Sequence, residues 1–381
     1  MPEERTELSE LKIYFLICLI VVLSTLIFFL PFILQTDTFL SIGFTEKGMQ
    51  AVYRYWDGPL YVIVSKTFYC GESLLYSAAR LYPGYFAAHF PLFPFTIMML
   101  SFIGEFEAMI VAVVIFSCLS AIIFYKTVKE FKITTSPFLL TLFFCFFPLR
   151  WFLYRNIGAS EPAFVFFCLT TLYFLKKDQL NYSLISASLA TLTRVFGIIL
   201  LPVIVLSLLI KKQLNWKNSL KCMIIPVSLL ALFLYYYRSL GDFFAYLHVN
   251  SSYIHEPFQI MTTFVSSHFG ELYAILVLVY ALSAIALWER GETEMALFIF
   301  CYLPVISLVA HADASRYMIP MAPFALMAFE NFFPKNKTAY IFIILLAAIF
   351  SFIYAWTMIP TNLMSKDTFT AILDVIANAK K

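Results

Sequence analysis

Charge is what this chain has least of. Of its 381 residues, 13% are Asp, Glu, Lys or Arg, about half the share of an ordinary soluble domain. With 62% hydrophobic residues, 19% aromatic residues and a mean hydropathy of +0.85, a water-soluble globule is excluded and a polytopic membrane protein is expected. The net charge of +3 is too small for a nucleic-acid partner, and no stripe of basic and aromatic residues supplies one. No CxxC pair occurs among the cysteines. Cys18, Cys70, Cys118, Cys145, Cys168, Cys222 and Cys301 stand mostly in apolar runs and read as small buried hydrophobes. A Gly-rich phosphate loop, a G-x-S-x-G elbow and an HExxH helix are all missing, so ATPase, serine-hydrolase and zincin readings have no support. No cofactor or metal is expected.

What is present is a series of apolar runs: 12–34, 107–125, 134–149, 162–175, 182–193, 197–210, 220–238, 271–288, 294–310, 317–332 and 338–357. They predict an all-α polytopic protein with about 11 transmembrane helices, some of them short for a core of about 30 Å. The first run lacks a small-residue cleavage site and reads as an uncleaved signal anchor. A further run, Phe90–Gly104, opens with two prolines that suit a helix start. If it lies outside the membrane, Lys12, Lys126, Lys129, Lys132, Lys176, Lys177, Lys211, Lys212 and Lys217 all face the cytoplasm. If it crosses, the "YKTVKEFK" loop faces out, against the positive-inside rule. The run is therefore expected as a juxtamembrane helix. The first outer loop, 35–106, would then carry two surface helices, one following Asp57 and one from Phe90.

This topology separates the two basic residue types. Lysine is mainly cytoplasmic, whereas Arg54, Arg80, Arg150, Arg155, Arg194, Arg238 and Arg316 fall on the outer face. Snorkelling at span ends accounts for some of them, but guanidinium is also the preferred fork for phosphate. The same face collects Asp57, Glu72, Glu105, Glu107, Glu161, Asp242, Glu256 and Asp313, with all five histidines: His89, His248, His255, His268 and His311. Polar groups gathered on one face of a membrane protein mark a working surface.

Three stretches carry most of the information: "YRYWDGPLYVIVSKTFY" (53–69) with "AAHFPLFPF" (87–95), "GASEPAFVFFCLTTLYFL" (158–175) with "SLATLTRVFGIILLPVIVL" (188–206), and "HADASRYMIPMAPFAL" (311–326). Together they resemble the PIG-V-like family, relatives of GPI mannosyltransferase II within the GT-C membrane glycosyltransferases. The resemblance covers roughly residues 50–325 in short patches. It implies a GT-C-type fold and inverting transfer of mannose or a related hexose. The donor would be a polyprenyl-phosphate-linked sugar of the dolichyl type. The acceptor would be a glycolipid, lipid or protein on the extracytoplasmic or lumenal face. It also implies that Asp57 is the catalytic carboxylate, in a catalytic module 1–238 followed by a variable transmembrane module 239–381. Gly58-Pro59-Leu60 and "GASEP" depart from the family's pattern.

The residues support the same chemistry on their own terms. Glycosyl transfer passes through an oxocarbenium-like state, and an inverting enzyme needs one carboxylate to take the acceptor's proton. Asp57 is suited to that, beside Trp56 and Tyr55, whose rings fit an interface or the apolar face of a sugar. A lipid phosphate leaves without a general acid if positive charge is positioned on it. Arg194, ahead of Gly197 at a helix start, and Arg316, with Tyr317 beside it, are the candidates. His89 and Glu161 are candidate substrate contacts. Each residue also has a plainer role open to it: Asp57 and Glu161 as helix caps, His89 as an interfacial histidine. Glu105 and Glu107 read as caps alone. His248, His255 and Glu256 are poorly spaced for zinc. Asn250-Ser251-Ser252 is formally a glycosylation sequon. The tail 365–381 is amphipathic and expected on the outer surface. Two other classes stay open: a lipid or solute transporter with an outer vestibule, and a catalytically silent subunit of a glycosylation complex.

Overall fold

The computed structural model describes residues 2–44, 46–55, 57–70, 72–251, 270–307 and 313–378. The chain is 79% helical, and its only sheet among the described residues is a small ribbon pairing Thr38–Phe39 with Ile42–Gly43. Among the described residues, five helices are long and apolar enough to cross a membrane: Glu10–Ile33, Glu105–Glu130, Trp216–Leu240, Glu271–Glu289 and Lys337–Thr361. Other apolar runs form shorter helices, among them Pro137–Phe146, Val195–Ile210 and Thr293–Ser307.

The long helices other than Glu105–Glu130 turn most of their residues outward. Leu26, Val227, Leu278 and Phe342 are exposed, while Ser24, Thr25, Ser117, Ser120, Ser283 and Ser351 are buried. The serines return their hydroxyls to backbone carbonyls, as Ser117 does to Val113 and Ser120 to Pro162. Polar groups turned inward and leucines turned outward are what a hydrocarbon solvent selects.

Charge pairs define the two ends. Glu105–Glu130 is about 39 Å long. It begins where Glu105 meets Lys66 at 2.6 Å and ends where Glu130 meets Lys177 at 2.6 Å. The second end also carries Lys176 on Glu292 and Lys211 on Asp178 and Glu294, at 2.8 to 2.9 Å. Asp57, Arg150, Arg194 and Arg316 gather away from this lysine-rich end.

Several expectations change. The helix after Asp57, Asp57–Thr67, is no surface helix: Leu60, Val62, Ile63 and Val64 are fully buried. A segment apolar on every side has no polar face to offer the interface, so it is enclosed by its neighbours. The Phe90 run forms Leu92–Leu100 and a short turn Ser101–Ile103, about 18 Å in all and too short to cross. Arg155, expected on the outer face, is 1% exposed and lies about midway along the bundle. Its carbonyl accepts from Ser117, and its side chain reaches Val21 and Ser24 of the first helix.

The tail helix Lys366–Asn378 buries Phe369, Ile372 and Ile376, with the Phe369 ring 5.0 Å from that of Phe106. Just before it, Leu363 bridges to Tyr55, and Arg54 donates to the Met364 carbonyl at 2.9 Å. The C-terminal segment thus lies directly against the strand-like entry to Asp57.

Candidate functional site

Asp57 opens its helix at a point where two backbones nearly touch. A Cβ on Gly158 would stand 2.8 Å from the Gly58 Cα and 2.2 Å from Met109 Sδ. Glycine at 158 therefore lets the 155–160 turn close onto the start of the Asp57 helix. The turn delivers Ser160, whose Oγ lies 2.8 Å from the Tyr61 hydroxyl, and Glu161, the first residue of Glu161–Lys176.

Arg194 follows Leu180–Thr193 in an extended conformation (φ −152°, ψ 141°) that ends the helix. Gly197 does not open the next α-helix as expected. It lies in a tight 3-10 turn, Val195–Ile199, pressed against Ala190 and Thr191, where a Cβ would meet Thr191 N at 2.3 Å. Arg316 comes from the single-turn helix Ala314–Tyr317, whose start is marked by Asp313.

These segments bring their charges together. Arg316 Nη2 is 2.5 Å from Asp57 Oδ2, and its Nε contacts Glu161 Oε1. Arg194 Nη1 donates to the same Glu161 oxygen at 2.6 Å and to Ser160 Oγ at 3.3 Å. The Arg316 guanidinium lies over the Tyr154 ring, 4.6 Å from its centre, and that of Arg194 over Tyr317 at 5.5 Å. Tyr154 in turn donates to Asp313 Oδ2 at 2.8 Å, whose other oxygen meets Arg150 at 2.6 Å. Three guanidiniums and three carboxylates therefore interlock, each arginine held by an acid or an aromatic face.

The network borders a cavity of about 710 Å³. Of the residues expected in the site, Tyr55, Asp57, His89, Arg194, Arg316 and Tyr317 line it. Trp56 lies outside the described residues. Glu161 does not line the cavity. Its side chain is 2% exposed and pairs with both arginines behind the cavity wall. Tyr61, Tyr82, Arg150, Asp313 and Asn362 also line the cavity, although none was placed in the site from sequence. Asp313 stands in the same "HADASRY" stretch as Arg316, which was the available signal. Asn362 had none, because only the folded-back tail brings it there.

Burial pushes the Asp57 carboxyl up, but the Arg316 guanidinium, with His89 and Arg194, brings it below the ordinary carboxylate value. Asp57 is thus an anion at neutral pH, with a fifth of its side chain exposed. His89 is 6% exposed, with its ring edge-on to Tyr61 at 4.9 Å and Nδ1 without a hydrogen-bond partner among the described residues. Burial drives its pKa down to about 4 against the pull of Asp57, so the imidazole is neutral.

His248 contacts Asp242 at 2.7 Å; His255 and Glu256 are outside the described residues. All seven cysteines are free. Arg316, Leu363 and Met364 also tie the expected C-terminal module to the N-terminal one across the boundary at 238. No protein-family model matches the chain, and no curated protein sequence matches it.

Proposed function

We propose that this chain is an inverting membrane glycosyltransferase of GT-C type, with about 11 spans. It would move a mannose or related hexose from a polyprenyl-phosphate-linked donor to a glycolipid, lipid or protein acceptor. One observation carries the reading: an ionised carboxylate, Asp57, faces an open polar cavity beside two arginines, Arg316 and Arg194. A base and a phosphate clamp side by side are what transfer from a lipid phosphate requires.

In this reading the acceptor hydroxyl enters against Asp57, which takes its proton as the oxygen attacks the anomeric carbon. The donor phosphate rests on Arg194 and Arg316, and their fixed charge stabilises the leaving group without a general acid. The tyrosines on the cavity wall, Tyr55, Tyr61 and Tyr82, offer flat apolar faces and hydroxyls of the kind a sugar ring uses. The lysine-rich end is assigned to the cytoplasm, which puts the cavity on the extracytoplasmic or lumenal face.

The test is transfer from radiolabelled polyprenyl-phosphate-mannose to acceptors in membranes carrying wild type or Asp57→Asn at matched expression. The amide keeps the shape of the side chain and removes the base, so labelling should fall by at least about 100-fold. Equal labelling by both removes Asp57 as the base. Absence of labelling by wild type, repeated with other lipid-linked sugars, turns the reading toward transport.

A further inference from the structure

We propose that Arg316 couples the protonation of Asp57 to the grip on the lipid phosphate: when Asp57 takes up a proton, the guanidinium is released to the phosphate that has just gained charge. This rests on the glycosyltransferase reading and adds to it a linkage between the base and the leaving group, carried by one side chain.

The geometry is that of a two-position guanidinium. Arg316 spends Nη2 on Asp57 and Nε on Glu161, and lies over the Tyr154 ring. Its Nη1 has no hydrogen bond to any described residue, and the side chain lines the cavity. The two anchors differ in kind. Glu161 is enclosed and also holds Arg194, so it keeps its charge throughout. Asp57 faces the cavity and meets the acceptor. The part of the clamp that can change is therefore the Arg316–Asp57 pair alone.

The charges balance through one turnover. The acceptor oxygen bonds to the anomeric carbon, the bond from that carbon to the phosphate oxygen breaks, and its electron pair stays on that oxygen. The hydroxyl proton goes to Asp57. A phosphodiester monoanion and an aspartate anion become a polyprenyl phosphate dianion and a neutral carboxylic acid. Charge thus moves from one side of Arg316 to the other, and the guanidinium loses its hold on Asp57 as its attraction to the phosphate rises. Among the described residues, no other group facing Asp57 is arranged to do this. His89 is neutral, Tyr61 is bound to Ser160, Arg194 is tied to Glu161, and Arg150 is tied to Asp313. Return of the proton from Asp57 to the product or to water restores the pair and loosens the phosphate for release.

Linkage makes the idea testable without turnover, because whatever neutralises Asp57 must tighten product binding. The experiment measures the affinity of the full chain in nanodiscs for polyprenyl phosphate at neutral pH. Asp57→Asn should bind on the order of tenfold more tightly than wild type. Asp313→Asn also removes a cavity carboxylate, but one that holds Arg150, and should give the smaller gain. In an Arg316→Gln background the Asp57→Asn gain should vanish. Arg316→Lys, which keeps the charge but not the two-point fork, serves as the second background and should show a reduced gain. Equal gains for Asp57→Asn and Asp313→Asn would show general electrostatics and overturn the coupling, as would an Asp57→Asn gain that persists without Arg316. If wild type transfers label and Asp57→Asn leaves the affinity unchanged, the coupling falls and the glycosyltransferase reading stands. If wild type neither transfers label nor binds polyprenyl phosphate, both fall.

Discussion

Arg194 donates to Glu161 at 2.6 Å on Oε1, the oxygen that also takes the Nε of Arg316. One buried carboxylate therefore fixes two guanidiniums at a spacing set by protein and not by substrate. Such preorganisation is what a clamp for a developing phosphate charge needs. Glu161→Gln keeps the outline of the side chain and leaves both arginines short of an anion in a buried setting. Breaking a buried pair from one side costs about 3–5 kcal/mol. Thermal unfolding in nanodiscs should show a marked fall in midpoint for Glu161→Gln. An unchanged midpoint would mean that Asp57 and Ser160 suffice to hold the arginines.

His89 should give the acid side of the stability profile its slope. Its folded pKa of about 4 lies below the ordinary 6.5, so between those values the unfolded chain binds more protons than the folded one. Stability then falls as pH drops from 6.5 toward 4, by up to about 3 kcal/mol over the whole window. Asp57 acts in the same sense but lower. Its stabilisation is present above the unfolded value and is lost as pH falls through the depressed folded value. His89→Phe preserves the edge-on packing against Tyr61 and has nothing to protonate. Denaturation curves at about pH 7 and about pH 5 should differ less for His89→Phe than for wild type. An undiminished difference would place the titrating group elsewhere.

Much of the site was legible in the sequence because its chemistry uses rare residues. In a chain this poor in charge, an arginine or aspartate beside an apolar run stands out, and Asp57, Arg194 and Arg316 were visible for that reason. What stayed hidden depends on packing. Glu161 reads as a contact residue until its neighbours close over it, and Asn362 is an unremarkable amide until the tail folds back against Tyr55. Arg155 misled in the other direction. A basic residue between two apolar runs reads as a loop residue, and nothing in the local pattern shows that Pro137–Phe146 is too short to bring the chain to the surface. The hydrophobic periods located the helices, but helix length decided which arginines reach the cavity.

Gly158 ties the fold to the site through a contact that no larger residue permits. In Gly158→Ala the new methyl would press on Met109 Sδ at 2.2 Å and on the Gly58 Cα at 2.8 Å. The methionine can turn away, but the backbone beside Asp57 cannot. Overpacking of this kind costs about 1–3 kcal/mol, and here the strain falls one residue from the proposed base. Adding Met109→Ala removes the sulfur contact but not the backbone one, and it opens a cavity, so the double variant should stay below wild type in both melting temperature and label transfer. Recovery of both would show that the methionine alone accounts for the clash.

Arg155 gives the sharpest test of how the interior holds a charge. Its Nη2 donates to Ser24 Oγ at 2.7 Å and its Nε to the Cys145 carbonyl at 2.9 Å, and its guanidinium carbon lies 4.6 Å from the centre of the Phe152 ring. No carboxylate pairs with it among the described residues. What stabilises it is the fork: a weakly hydrated cation whose donors point at fixed acceptors on two helices. Lysine keeps the charge but concentrates it on one strongly hydrated nitrogen that cannot reach both helices at once. Methionine gives up the charge and fills the space. Ser24 and Thr25 still donate to Val21 and Asn156 without Arg155, so the main loss is the partner of the Cys145 carbonyl, worth about 1–3 kcal/mol. A buried ammonium without a matching fork should cost about 3–5 kcal/mol. Arg155→Lys is therefore expected to be less stable than Arg155→Met in urea or thermal unfolding of the nanodisc-bound protein. The reverse order would mean that charge alone, and not the geometry of the guanidinium, joins the first helix to the turn carrying Arg150 and Tyr154.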